Sequence, residues 1–259
     1  MINIASVHHE TSRFMEMQKK YLEKYTPEDF RVFCGISNLT PTVNHYKFLD
    51  FSKETREHGD RLDLLASVII EEASDDDLLV FIDSDAFPIH NWTTLIKNEL
   101  ESYPLVAIVR AENPAPLIDE HDRAFPHPCF LATTVKFWKE NELSWKLDIP
   151  TGAQSAGVVL HRKLKELGIE WCALLRSNAV NLHPLYFGIY GGAIYHHGAG
   201  NREVYDSIDI WSRPALGNTV DLDLRYPSIP RFNTKFSDFV FSEIEKDENF
   251  IRIFLGGTP

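Results

Sequence analysis

The chain has 259 residues, 44% of them hydrophobic, enough for one sizeable α/β core and short for two independent domains. A formal net charge of −12 argues against non-specific nucleic-acid binding, which needs Lys and Arg to displace counterions from phosphates. Three widely spaced cysteines, Cys34, Cys129 and Cys172, imply reduced thiols in a cytoplasmic setting rather than disulfides, and no stretch approaches the ~18 apolar residues of a transmembrane segment.

Ile2 to Val7 reads as a first buried strand, followed by a polar turn at His8-His9-Glu10. A helix opens near Thr11 or Ser12, because Phe14, Met17, Tyr21 and Tyr25 recur at spacings of three and four before Pro27. Arg31 to Ile36 is a second strand and Asp60 to Glu72 a second helix, with Leu62, Leu65, Ala66 and Ile69 facing inward. Leu78 to Ile82 is a third strand, Trp92 to Glu101 a helix and Leu105 to Val109 another strand. Four prolines make Ala111 to Pro128 a loop-like stretch suited to a substrate wall, and Phe125 to Phe130 and Trp138 are either walls of a binding pocket or aromatic core packing. Phe137 to Trp145 has helical character, Ala156 to Leu160 suggests a short strand, and Ala193 to Tyr195 suggests another after Gly191-Gly192. Beyond Trp211 the pattern weakens into an extended tail, a helix at Phe236 to Lys246 and a short strand at Ile251 to Leu255. Alternating strands and helices predict a mainly parallel central sheet covered on both faces, whose ligands sit at the carboxyl ends of the strands.

Asp83-Ser84-Asp85 lies at that edge, directly after Leu78-Leu79-Val80-Phe81-Ile82. Side chains two apart on an extended segment point the same way, so both carboxylates can share one ligand. Hard oxygen donors of this kind suit Mg or Mn together with substrate phosphates. A turn-capping aspartate pair is the structural alternative. No P-loop, no G-x-G-x-x-G opening a helix, no H-E-x-x-H and no G-x-S-x-G occurs.

The segment from Asp77 to Asp85 resembles the DxD region of nucleotide-sugar glycosyltransferases of the GT-A fold (family 2-like), and the order of elements agrees over roughly residues 1 to 200. The resemblance implies a Rossmann-like GT-A domain at 1–210 with a C-terminal extension at 211–259 packed on it. It implies a divalent Mn or Mg cofactor bridging the diphosphate of a UDP- or GDP-type donor, with Asp85 as metal ligand and Asp83 shared between metal and ribose. Tyr195-His196-His197-Gly198-Ala199-Gly200 is similar to the family's late strand that ends in a metal-binding histidine, which leaves both His196 and His197 as candidates. Gly198 and Gly200 would let the backbone approach the diphosphate.

By the same resemblance, His8, Asp60 and Arg61 are candidate donor-binding residues, and Asp148 is the candidate general base of an inverting transfer to a glycan or other hydroxyl acceptor. Leu147 precedes Asp148 where the family commonly has an acidic pair, and Asp119, Glu120 and Asp122 compete for the role. Two other readings stand beside this one. A carbohydrate- or nucleotide-binding protein without turnover would use the same scaffold. A HAD-type phosphotransferase would use Asp83 as nucleophile, but there the pair follows the first strand and a Thr stands two residues beyond, where this chain has Phe87.

Overall fold

The computed structural model describes residues 1–53, 57–110, 124–147, 156–179, 186–198, 234–246, 249 and 251. A seven-stranded sheet forms its centre, built from β1 (Ile2–His9), β2 (Phe30–Ser37), β3 (Lys47–Asp50), β4 (Leu78–Ile82), β6 (Leu105–Ile108), β7 (His127–Thr134) and β8 (Cys172–Leu174) in the order β3-β2-β1-β4-β7-β6-β8. The pairings β3/β2, β2/β1, β1/β4 and β6/β8 are parallel, whereas β7 runs antiparallel to both β4 and β6. The expected α/β class with a mainly parallel central sheet is therefore what the chain adopts.

Alternation along the strands feeds two cores, because successive side chains leave opposite faces. Ile2, Ile4, Val80 and Ile82 face one way and pack with Met15 and Leu22 of α1 (Met15–Tyr25) and with Trp92 and Ile96 of α3 (Trp92–Leu100). Ala5, Val7, Leu79 and Phe81 face the other way. They meet Leu62, Leu65 and Ile69 of α2 (His58–Glu72), Trp138 of α4 (Val135–Glu140) and Leu160 and Leu164 of α5 (Val158–Glu166). The sheet is thus covered by helices on both faces.

Several elements differ from the sequence expectation. Residues 156–160 turn into α5 rather than a strand, because Leu160 and Leu164 form a helical i, i+4 pair in the same core, and a short apolar run by itself does not distinguish the two states. Helix α4 stops at Glu140, with Glu142 at φ 48°, so Leu143 and Trp145 reach the core from irregular chain. The stretch expected to be loop up to Pro128 already enters β7 at His127. Of the terminal strand expected at Ile251 to Leu255, Ile251 is buried in a third core and residues 252–255 lie outside the described residues.

A second sheet, β5-β10-β9, carries the site and is antiparallel, with β5 spanning Ala86–Pro88, β9 Gly188–Tyr190 and β10 Ile194–His196. Its Phe87, Ile189 and Tyr195 pack with Phe14, Met17 and Tyr21 near α1 and with Val240, Phe241 and Ile244 of α6 (Thr234–Lys246). Arg13 ties the two helices together, bonding Asp238 at 2.7 Å while its guanidinium lies 3.9 Å from the centre of the Phe241 ring.

Candidate metal centre

Strand β4 ends where its apolar run ends, and the chain reverses over residues 83–86, with the Ala86 N–H donating to the Asp83 carbonyl at 3.0 Å. The Asp83 N–H donates to the carbonyl of Cys129 on β7 at 3.2 Å, so the turn stays registered on the central sheet. Emerging from the turn, β5 pairs with β10 and sets Ala86 opposite His196. This pairing brings a residue more than a hundred positions downstream onto the two aspartates.

Asp83, Asp85 and His196 each offer one ligand atom, and the three atoms lie within 4.8 Å of one another. The Nε2 of His196 is 3.4 Å from Asp85 Oδ1 and 3.8 Å from Asp83 Oδ2. The His196 and Asp85 side chains are 5% and 9% exposed and that of Asp83 is 19% exposed, so the cluster opens to solvent on the Asp83 side. Two carboxylate oxygens and one imidazole nitrogen converging on a common point form a donor set that fits a first-row divalent ion such as Mn. The orphaned Nδ1 of His196, buried without a hydrogen-bond partner among the described residues, accords with a ring held by what its other nitrogen faces.

His197 faces the other way, as alternation along an extended chain requires. Its ring stands 4.9 Å from Phe14 and 4.9 Å from Phe187, centre to centre. Nδ1 is 3.0 Å from the Tyr195 hydroxyl and Nε2 is 2.8 Å from Ser237 Oγ on α6. Burial pushes this imidazole down to about 3, so it is neutral at physiological pH. Its contribution to the cluster is through the backbone, since the His197 N–H donates to the Asp85 carbonyl at 2.9 Å.

The remaining candidates separate. His8 lies within β1, which runs two residues beyond the expected strand end, and is fully buried beneath the turn; burial lowers its pKa to about 4. Asp60 lines a surface depression with Asp63, Ser67, Ser144 and Lys146. Arg61 follows His58 by three residues on the same face of α2, and its Nε finds no hydrogen-bond partner among the described residues. Gly198, at φ 73°, makes a turn whose Cα faces the Tyr186 ring, where an added Cβ would come within 2.7 Å of Cδ1. Asp148, Asp119, Glu120, Asp122 and Gly200 lie outside the described residues.

Three further residues join the site, two of them, His58 and Gln18, without any sequence expectation and His127 from the stretch expected to line a pocket. His58, at the start of α2, places Nε2 3.2 Å from Asp83 Oδ1 and is 43% exposed. His127 of β7 has its ring 6.1 Å from that of His196, and its Nδ1 accepts the Cys129 N–H at 3.2 Å. Burial, and then the Arg110 charge, hold its pKa well below the usual range. Gln18 of α1 is fully buried and donates to the carbonyls of Asp83 and Ala86 at 2.8 and 2.9 Å. Its signal was a polar residue set among Phe14, Met17, Tyr21 and Leu22 on the apolar face of a helix; an isolated histidine such as His58 carries no comparable signal.

No protein-family model and no curated protein sequence matches the chain. Among solved structures it is similar to the galactosyltransferase LgtC in complex with donor and acceptor sugar analogs, at 13% identity and TM-score 0.43, covering 66% of this chain and 73% of that one. It is also similar to the mannosyltransferase PcManGT of Pyrobaculum calidifontis in complex with GDP-Man and Mn2+, at 12% identity and TM-score 0.46, covering 66% of this chain and 54% of that one. S. aureus TarS matches at 12% identity and TM-score 0.44, over 62% of this chain and 33% of its own.

Proposed function

We propose that this protein is a divalent-metal-dependent glycosyltransferase that moves a sugar from a nucleoside-diphosphate donor to a hydroxyl acceptor. The observation that carries this reading is the convergence of Asp83, Asp85 and His196 at the carboxyl end of a central strand, in a cluster open on one side. Ligands of open α/β sheets bind at this edge. The mixed oxygen and nitrogen donor set favours Mn over Mg, which prefers an all-oxygen shell.

Asp85 and His196 would hold the ion from the buried side and Asp83 from the side open to solvent. When bound, the ion offsets the charge that develops on the leaving diphosphate. His58 sits on Asp83 at the open side, and Arg61, one turn further along α2, would pair with phosphate oxygens in this reading. The role of base falls to Asp148, which takes the acceptor's proton as its oxygen attacks the anomeric carbon with inversion. No helix among the described residues is long and apolar enough to cross a membrane.

A thermal-shift screen of UDP-, GDP-, dTDP- and CMP-sugars with and without Mn2+ tests the reading, because a ligand at about a hundred times its Kd stabilises the native state by ~2.7 kcal/mol. One nucleotide class should raise Tm in the presence of Mn2+, and Asp85→Ala should abolish both that rise and sugar transfer. An Asp85→Ala protein that keeps an unchanged metal response and activity would overturn the site assignment. Binding without turnover across a broad acceptor panel would leave a nucleotide-sugar-binding protein in its place.

A further inference from the structure

Gln18 is the one amide that α1 turns into the protein along its apolar stripe, and nothing in the packing of that stripe asks for a polar group. Burying an amide is unfavourable unless its hydrogen-bonding groups are met. Here both hydrogens of the side-chain NH2 go to a single four-residue turn, one to the carbonyl of Asp83 at 2.8 Å and one to that of Ala86 at 2.9 Å. The amide oxygen faces His8 Nε2 at 3.4 Å, and Ser6 Oγ lies 3.4 Å from the same nitrogen. Both His8 and Gln18 are fully buried. A ring N–H facing the amide oxygen sets the amide's orientation, since a flipped amide would present its NH2 to that N–H and its oxygen to two carbonyls.

We propose that Gln18 is a positioning residue for the metal centre: anchored by His8, its amide clamps both ends of the Asp83–Ala86 turn and so fixes the directions of the Asp83 and Asp85 carboxylates. The inference rests on the reading that these carboxylates and His196 hold the ion. The clamp acts on the third ligand as well, because Ala86 is the residue of β5 that faces His196 across the small sheet. A helix, the end of a central strand and the small sheet thus meet at one side chain that is not itself among the three candidate ligands.

Gln18→Met keeps the length of the side chain and removes both donors; Gln18→Asn keeps an amide one methylene too short to reach both carbonyls. Each is compared with wild type and with Leu164→Ala, which weakens the core on the opposite face of the sheet. Mn2+ affinity is read by the paramagnetic resonance of free Mn2+, well below the melting temperature of every variant. Hydrogen exchange of the peptide covering residues 83–88 is read in the metal-free proteins. Partners that orient metal ligands typically contribute about 10–100-fold to affinity. Gln18→Met should therefore weaken Mn2+ binding by about ten-fold or more. Exchange at 83–88 should speed up, and Gln18→Asn should follow in the same direction by less. Leu164→Ala should lose stability and keep its Mn2+ affinity. If Gln18→Met loses stability but keeps wild-type Mn2+ affinity and wild-type exchange at 83–88, the amide only satisfies buried carbonyls and the proposal is overturned. If wild type and Asp85→Ala bind Mn2+ alike, the metal reading fails instead, and the exchange rates of the metal-free proteins still decide whether Gln18 holds the turn.

Discussion

Acidification should weaken the metal-free protein well before its carboxylates protonate, because three imidazoles, those of His8, His127 and His197, are buried in neutral form. Burial lowers His8 from 6.5 to about 4 and His197 from 6.5 to about 3. Both folded values lie below the unfolded one, so the stability these rings contribute is fully present above pH 6.5. It falls as the unfolded chain takes up protons that the folded chain refuses. The decline ends only where the folded rings titrate, near pH 4 for His8 and pH 3 for His197. The slope is about 1.4 kcal/mol per pH unit per ring, so at pH 5 His8 and His197 have each cost about 2 kcal/mol, ~4 together, and His127 adds to that loss in the same direction. Total stabilities of domains are about 5–15 kcal/mol, so this loss is large. Asp63 works the other way, since burial raises its pKa, and takes back part of the loss as it protonates. Urea unfolding followed by tryptophan fluorescence, with EDTA present and at pH values from 7.5 to 5, gives the midpoint and m at each pH. The midpoint should fall steadily below pH 6.5 at constant m, and His197→Phe should show about two-thirds of the wild-type slope. A midpoint that stays flat to pH 5, or a His197→Phe slope equal to that of wild type, would refute the reasoning.

Other perturbations separate stability from site geometry. Ser237→Ala removes the α6 partner of His197 Nε2 and leaves that buried nitrogen unpaired, an expected loss of about 1–3 kcal/mol. Differential scanning fluorimetry should show it as a fall of about 2–4 °C per kcal/mol. Gly59→Ala places a Cβ 2.2 Å from the Trp145 carbonyl oxygen, a backbone atom that cannot step aside, so the first turn of α2 must shift. A drop of about 1–3 kcal/mol in chemical denaturation is expected. His58→Ala, at a 43% exposed side chain, should leave stability within about 0.5 kcal/mol while reducing the Mn2+-dependent thermal shift given by the donor; an unaltered shift would remove His58 from the open side of the site.

The central sheet is legible in the sequence where residues have room to repeat. Ile2 to Val7 and Leu78 to Ile82 are long apolar runs, and the 14/17/21 and 62/65/69 spacings each fill one helix face. The strands that complete the architecture are short: β5, β8, β9 and β10 have three residues each and β3 has four, too few to display a period of two. Strand β7 is long enough, but it starts inside His127-Pro128, where proline signals loop, and its place between β4 and β6 is a long-range pairing that no local pattern encodes. At the site, the two-residue spacing of Asp83 and Asp85 carries their shared direction. Spacing does not separate His196 from His197, since either can be the last residue of a strand. The β5/β10 register separates them, and register is set by tertiary pairing.

That register has a consequence for how the site is built. Its carboxylates come from a turn locked to the central sheet through Asp83 N–H and Cys129, while its imidazole rides on β10, which belongs to the small sheet and is not paired with the central one. The β5/β10 pairing itself and the His197 N–H on the Asp85 carbonyl keep the halves in register. His197 is held in turn by Tyr195 and by Ser237 of α6, and α6 is held by Arg13 just ahead of α1. Helix α1 returns to the turn through Gln18, closing a circuit of contacts around the cluster. Helix α6 thereby bears on the position of His196 although it supplies none of the three candidate ligands, and the geometry of the cluster depends on contacts from α1 and α6 alike.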